Sequence, residues 1–130
     1  MLKERAREYY QEKDCNCAET IIRAANDEYG LGINEEGLKA FGGFGGGMQC
    51  GSICGAVCGG IGAISAKEIE TNAHHTETLS PKCQAMMNGF KEKFGSAFCT
   101  KVRKENFEKN GSQCWKVVEG AAEVLEKIMK

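Results

Sequence analysis

The chain has 130 residues, 42% hydrophobic content, a net charge of -1 and an isoelectric point near 6.2. One domain spanning residues 1–130 with a modest core fits that length, and so even a charge balance excludes an electrostatic footprint for nucleic acid or an anionic membrane. The opening residues, Met1 to Glu8, are charged and lack the apolar centre of a secretory signal, so a cytoplasmic location is expected.

In chain order, Leu2 to Lys13 reads as a charged helix burying Leu2, Ala6, Tyr9 and Tyr10. Asp14 or Asn16 is placed to cap a second helix, Cys17 to Tyr29, whose inner stripe is Ala18, Ile21, Ile22 and Ala25, with Gly30 as a left-handed stop. Asn34 then caps a short helix from Glu35 to about Phe41 that turns Leu38 and Phe41 inward.

Residues 42–66 hold ten of the seventeen glycines, three of the eight cysteines and no charged side chain. Although long enough to span a bilayer, the stretch is too rich in glycine for membrane insertion to be expected. It follows no predicted strand and lacks the Lys-Ser/Thr of a phosphate-binding loop, so nucleotide cradling is not expected either. Ser52 is the predicted cap of a central helix from Ile53 to about Ala66, with Ile53, Val57, Ile61 and Ile64 as the core stripe. Gly51, Gly55 and Gly59 form a second stripe that admits a close neighbour. Cys54, as the second helical residue, is expected to be the most acidic thiol, since free N–H groups and the helix dipole favour a thiolate.

Beyond the polar stretch Lys67 to Leu79, in which His74 and His75 are expected to be exposed, Pro81 to Phe94 forms a helix with Cys83, Met86, Met87, Phe90 and Phe94 on its core side. Ser96 is placed to cap a helix from Ala97 to about Asn106, with Phe98 and Val102 inward. Ser112 is placed to cap another from Gln113 to Met129. Trp115, next to Cys114, either packs in the core or keeps water from a cluster beside it. No stretch alternates with a period of two, so the expected fold is all-α, a compact multi-helix domain around the central Gly/Cys-rich helix.

Cysteine usage carries the functional argument. Cys17, Cys54, Cys99 and Cys114 each fall in the first turn of a predicted helix, so four positive helix ends could meet on one site that favours thiolates or an anionic cluster. Cys50, Cys54 and Cys58 recur every four residues, but on a regular helix the outer pair lies roughly 12 Å apart, too far for one metal ion. Cys15 and Cys17 form a tight pair usable as adjacent ligands, and Cys83 belongs to a core stripe.

Cys17-Ala18, the block Cys54-Gly55-Ala56-Val57-Cys58-Gly59 preceded by Phe44-Gly45-Gly46-Gly47-Met48, then Phe94-Gly95-Ser96 with Cys99, and Cys114 before Val117-Val118, together resemble the C-GCAxxG-C-C family. The resemblance runs from about residue 15 to 125. Its members are described as redox-active, include selenocysteine variants, and are related to the iron-sulfur-binding part of split-Soret cytochromes. It implies redox chemistry at Cys17, Cys54, Cys99 and Cys114, either as catalytic thiols or as metal ligands; Cys15, Cys50, Cys58 and Cys83 are additional to the pattern. The first reading is thiol redox with Cys54 as nucleophile, acting on a partner protein or a small oxidant. The second is an electron carrier with an iron-sulfur cluster on the same four cysteines, and the third a zinc-stabilised interaction domain. The oligomeric state is open, and a homo-oligomer is compatible with it.

Overall fold

The computed structural model of the protein describes residues 1–110 and 114–130, without the side chains of 107–110. The described residues form seven α-helices and no strand. These are α1 (Leu2–Arg7), α2 (Cys17–Tyr29), α3 (Glu35–Lys39), α4 (Gly55–Glu68), α5 (Leu79–Phe94), α6 (Cys99–Asn110) and α7 (Trp115–Met129). The all-α expectation holds, and α4 occupies the middle, packed against α2, α5 and α7. None of the described helices is long and apolar enough to cross a membrane.

The predicted first helix is one unit with two windings: α1 gives way to a π-helical turn over Glu8–Glu12, which carries Tyr9 and Tyr10 against the core. Asn16, rather than Asp14, caps α2. Its side chain accepts from Glu19 N–H at 3.0 Å, and the Glu19 carboxylate accepts from Asn16 N–H at 2.9 Å. This reciprocal pair satisfies two donors that a helix start otherwise leaves bare. Gly30 ends the helix with φ 59°. Asn34 caps α3 by accepting from Gly37 N–H at 2.9 Å, so Asn34→Ala should cost about 1 kcal/mol in chemical denaturation. A midpoint equal to the parent's would show the cap to be idle.

Several boundaries differ from expectation; among them α7 starts at Trp115 rather than Gln113, and α6 runs on to Asn110. Ser52 does not cap the central helix: it has non-helical φ -78° and ψ -136° beside Ile53, which pairs with Phe98 in an isolated antiparallel bridge, and α4 begins at Gly55 with Cys54 in the capping position. The helix therefore starts two residues late, and Gly51 lies outside it with φ 77°. Helix α5 starts at Leu79, with Pro81 in its first turn, where a missing N–H is harmless. Helix α6 starts at Cys99 rather than Ala97, because the same bridge claims Phe98, leaving its ring 58% exposed instead of inward. The expected cap Ser112 lies outside the described residues.

The core is built as expected from Ile21, Ile22, Val57, Ile64, Met86 and Phe90, and α7 adds Val118 and Leu125, all fully buried. Ile53 and Ile61 are only partly buried, whereas Trp115 is buried at 8% exposure, with its ring 6.0 Å from that of Tyr10. Helix α4 is apolar nearly all round because it is covered on several sides. Its glycines set the spacing to α2. A Cβ at Gly59 would lie 2.8 Å from Ala18 O and 3.0 Å from Ile21 Cβ, so no other residue allows this approach. His74 and His75 are exposed, as expected.

Candidate functional site

Four chain segments deliver sulfur to one place. Cys17 is the first residue of α2, positioned by the Asn16 cap. Cys54 precedes α4, and its N–H donates to Ala97 O at 2.7 Å. Cys99 opens α6, and its N–H donates to Ser52 O at 2.6 Å, on the other side of the Ile53–Phe98 bridge. Because residues on either side of a bridged pair point to the same face, this ribbon turns both cysteines the same way. Cys114 precedes α7, and its N–H donates to the Tyr10 hydroxyl at 3.1 Å.

All four line a cavity of about 720 Å³, together with Cys15, Tyr10, Val102, Arg103 and Val117. Cys54 and Cys99 are each 4% exposed, while Cys15, Cys17 and Cys114 are half-buried. The other three cysteines lie elsewhere: Cys50 is exposed, and Cys58 and Cys83 are half-buried on α4 and α5 outside the cavity lining.

The glycine run wraps the sulfurs. Gly46, Gly47, Met48 and Gln49 follow one another with φ between 60° and 63°, a left-handed turn that costs roughly 1–2 kcal/mol for each residue other than glycine. It is held by Ser52 N–H to Gly47 O at 2.9 Å and by the Gln49 side-chain amide to Gly45 O at 2.8 Å. The turn brings Gly47 against Cys99, where a Cβ would fall 2.7 Å from Cys99 Cβ, and directs the Gly46 N–H at the Cys17 sulfur.

Cys17 is the anionic centre of the group. Its sulfur accepts a hydrogen bond from the Cys54 thiol, and although burial opposes ionisation, backbone N–H groups of Gly46, Ala18 and Cys17 itself also favour the anion. The thiol is held down to about 6. The first turn of α4 lies alongside: a Cβ at Gly55 would be 2.7 Å from Cys17 Sγ. Thus Cys17 sits at the positive ends of two helices, α2 and α4.

This corrects the expectation that Cys54 is the acidic thiol. The Cys54 proton is engaged by Cys17, burial disfavours its charge, and the Cys17 anion beside it repels a second one, so Cys54 is pushed well above the ordinary thiol range. As the residue before the helix rather than its second member, Cys54 lends its proton to a neighbour's anion. Burial also pushes Cys99 and Cys114 up, with the Cys17 charge adding to it and Arg103 opposing. Cys83 is raised by burial alone, as expected of an ordinary buried thiol.

Among the described residues no three His, Cys, Asp or Glu side chains stand in the arrangement that a single metal ion requires. A family model described as "Putative redox-active protein (C_GCAxxG_C_C)" matches residues 15–128. The chain belongs to this family. Neither the curated proteins nor the solved structures contain a match to it. In this C_GCAxxG_C_C protein the matched span includes all five cavity cysteines. Of the site's other members, Arg103 follows Cys99 by four residues and so shares its helix face, a periodic signal present in the sequence. Tyr10, brought in from the first helical unit, left no such signal.

Proposed function

We propose that the protein carries out thiol–disulfide redox chemistry in which Cys17 is the nucleophile and Cys54 the proton donor and resolving thiol. The observation behind this reading is the Cys17 sulfur at two helix starts, accepting the Cys54 proton and lining the cavity. The Cys17 thiolate attacks one sulfur of a substrate disulfide; the S–S bond breaks, and the leaving thiolate takes the Cys54 proton. The Cys54 thiolate then attacks the Cys17 sulfur of the mixed disulfide, expelling the second substrate thiolate, which is protonated from water. In sum the substrate disulfide gains two electrons and two protons, and Cys17 and Cys54 are joined. A partner protein or a small disulfide serves as oxidant, and the eight free cysteines suit a reducing compartment such as the cytoplasm.

The test is the rate of Cys17 alkylation against pH, resolved by mass spectrometry. Because the thiolate is the reactive form, the rate should be on its plateau at neutral pH and fall as pH drops through about 6. Faster modification of Cys54 than of Cys17 would reject the assignment.

The number of sulfurs around the cavity supports a second reading. Cys17, Cys54, Cys99 and Cys114 form a donor set of the kind that holds iron-sulfur clusters, and a cluster spaces its ligands more widely than one ion does. When bound, such a cluster would supply one-electron transfer. A zinc ion needs tighter tetrahedral grouping than the described side chains have, so the structural-zinc reading is the weakest. Anaerobic purification with a visible spectrum and iron and sulfide analysis separates these readings: a chromophore lost in Cys17→Ser supports the cluster, and colourless metal-free protein with fast Cys17 alkylation supports the thiol.

A further inference from the structure

Asn16 does more than begin a helix. All its polar groups are engaged: Oδ1 accepts from Glu19 N–H at 3.0 Å, the backbone N–H donates to Glu19 Oε1 at 2.9 Å, the carbonyl accepts from Thr20 N–H at 2.9 Å, and Nδ2 donates to Gly42 O at 2.9 Å. The first three are a helix start's ordinary bonds. The fourth reaches across to the glycine run, 26 residues away in sequence.

Asn16 also shapes the run by contact. A Cβ at Gly45 would lie 2.3 Å from Asn16 Nδ2, so the chain passes directly over the amide. Gly45 is followed by the left-handed turn that opens at Gly46, whose N–H favours the Cys17 anion. Next to that sulfur, a Cβ at Gly55 would meet Cys17 Sγ, Phe44 O and Gly45 Cα at 2.7, 2.7 and 3.1 Å, so the glycine run, the sulfur and the start of α4 meet at one point.

We infer that Asn16 is a positioning residue for the redox site: its side-chain amide ties the glycine run to the start of α2 and thereby fixes where Phe44 and Gly45 pass beside the neighbouring Cys17 and the start of α4. One residue thus fixes the first turn of α2 through Oδ1 and the loop beside the sulfur through Nδ2. The inference rests on Cys17 as the reacting sulfur, and it assigns a role to an uncharged side chain on the cavity wall.

Two substitutions separate the roles. Serine caps a helix as well as asparagine does, but its short hydroxyl cannot span to Gly42 O, whereas alanine loses both functions. In Asn16→Ser the melting temperature should stay near the parent's, amide exchange over residues 42–47 should accelerate, and Cys17 alkylation at pH 5 should slow roughly fourfold. That figure is a tenfold loss of thiolate on losing one donor to the anion, partly offset by the greater nucleophilicity of each thiolate that remains. Asn16→Ala should show the same two changes with a lower melting temperature. Unchanged exchange and alkylation in Asn16→Ser, with losses confined to Asn16→Ala, would make Asn16 a helix cap only and overturn the inference. Faster exchange in Asn16→Ser with slow Cys17 alkylation already in the parent would support the clamp while overturning the thiol reading.

Discussion

Gly55→Val should destabilise the protein by about 3 kcal/mol, at the upper end of what overpacking a tight contact costs, and should disturb the redox site at the same time. The new Cβ would fall 2.7 Å from Phe44 O, 3.1 Å from Gly45 Cα and 2.7 Å from Cys17 Sγ. Two of these neighbours are backbone atoms, which cannot rotate aside, so either the glycine run or α2 must move bodily from α4. The third is the proposed nucleophile, so relief of the clash by shifting Cys17 would part it from the Cys54 thiol and the Gly46 N–H. Denaturant unfolding gives the energy and the Cys17 alkylation profile gives the chemistry. Gly43→Ala is the matched control: no atom lies within 4 Å of its added Cβ, so its effect should stay within about 0.5 kcal/mol. Equal stability of Gly55→Val and the parent would mean that α2 and the glycine run do not press on α4 in solution.

Cys17→Ser should abolish disulfide turnover, a loss on the order of 10³-fold or more, because a serine hydroxyl stays protonated where the thiol does not. Cys54 variants should fail differently. In Cys54→Ser the hydroxyl can still donate to the Cys17 sulfur, so Cys17 should remain reactive near neutral pH but should stop at the mixed disulfide, detectable as a mass adduct on Cys17. In Cys54→Ala the largest influence holding Cys17 down is removed, and the alkylation midpoint should rise from about 6 toward the ordinary thiol value. Normal turnover by Cys54→Ser would show that another cavity cysteine, such as Cys15 or Cys114, resolves the intermediate.

Much of the architecture was legible because it is local. Asn16 was one of two candidate caps, Gly30 supplies a left-handed stop at φ 59°, and the apolar periodicity of α2 marks the face that is buried. The four cysteines at helix starts were legible for the same reason, since each helix announces its own beginning within a few residues. Where local signals misled, a distant segment had intervened. Ser52 looks like a cap, but the Ile53–Phe98 bridge ties that backbone to a distant segment and delays both α4 and α6.

What the sequence by itself determined, then, is an all-α chain whose glycine is concentrated in one uncharged stretch and four of whose helices begin at or next to a cysteine. Only the tertiary structure decided which sulfur carries the charge. That depends on donors from three separated segments, the Cys54 thiol, the Gly46 N–H and the first turn of α2, all meeting at Cys17. Hydrogen bonds and desolvation act over a few ångströms of space regardless of sequence separation, so the helix-start rule that favoured Cys54 was outweighed by an anion next to it and a proton shared with it. The same reasoning applies to Tyr10, which helical periodicity placed on a buried face but not at the site, and which the fold brings to the cavity wall.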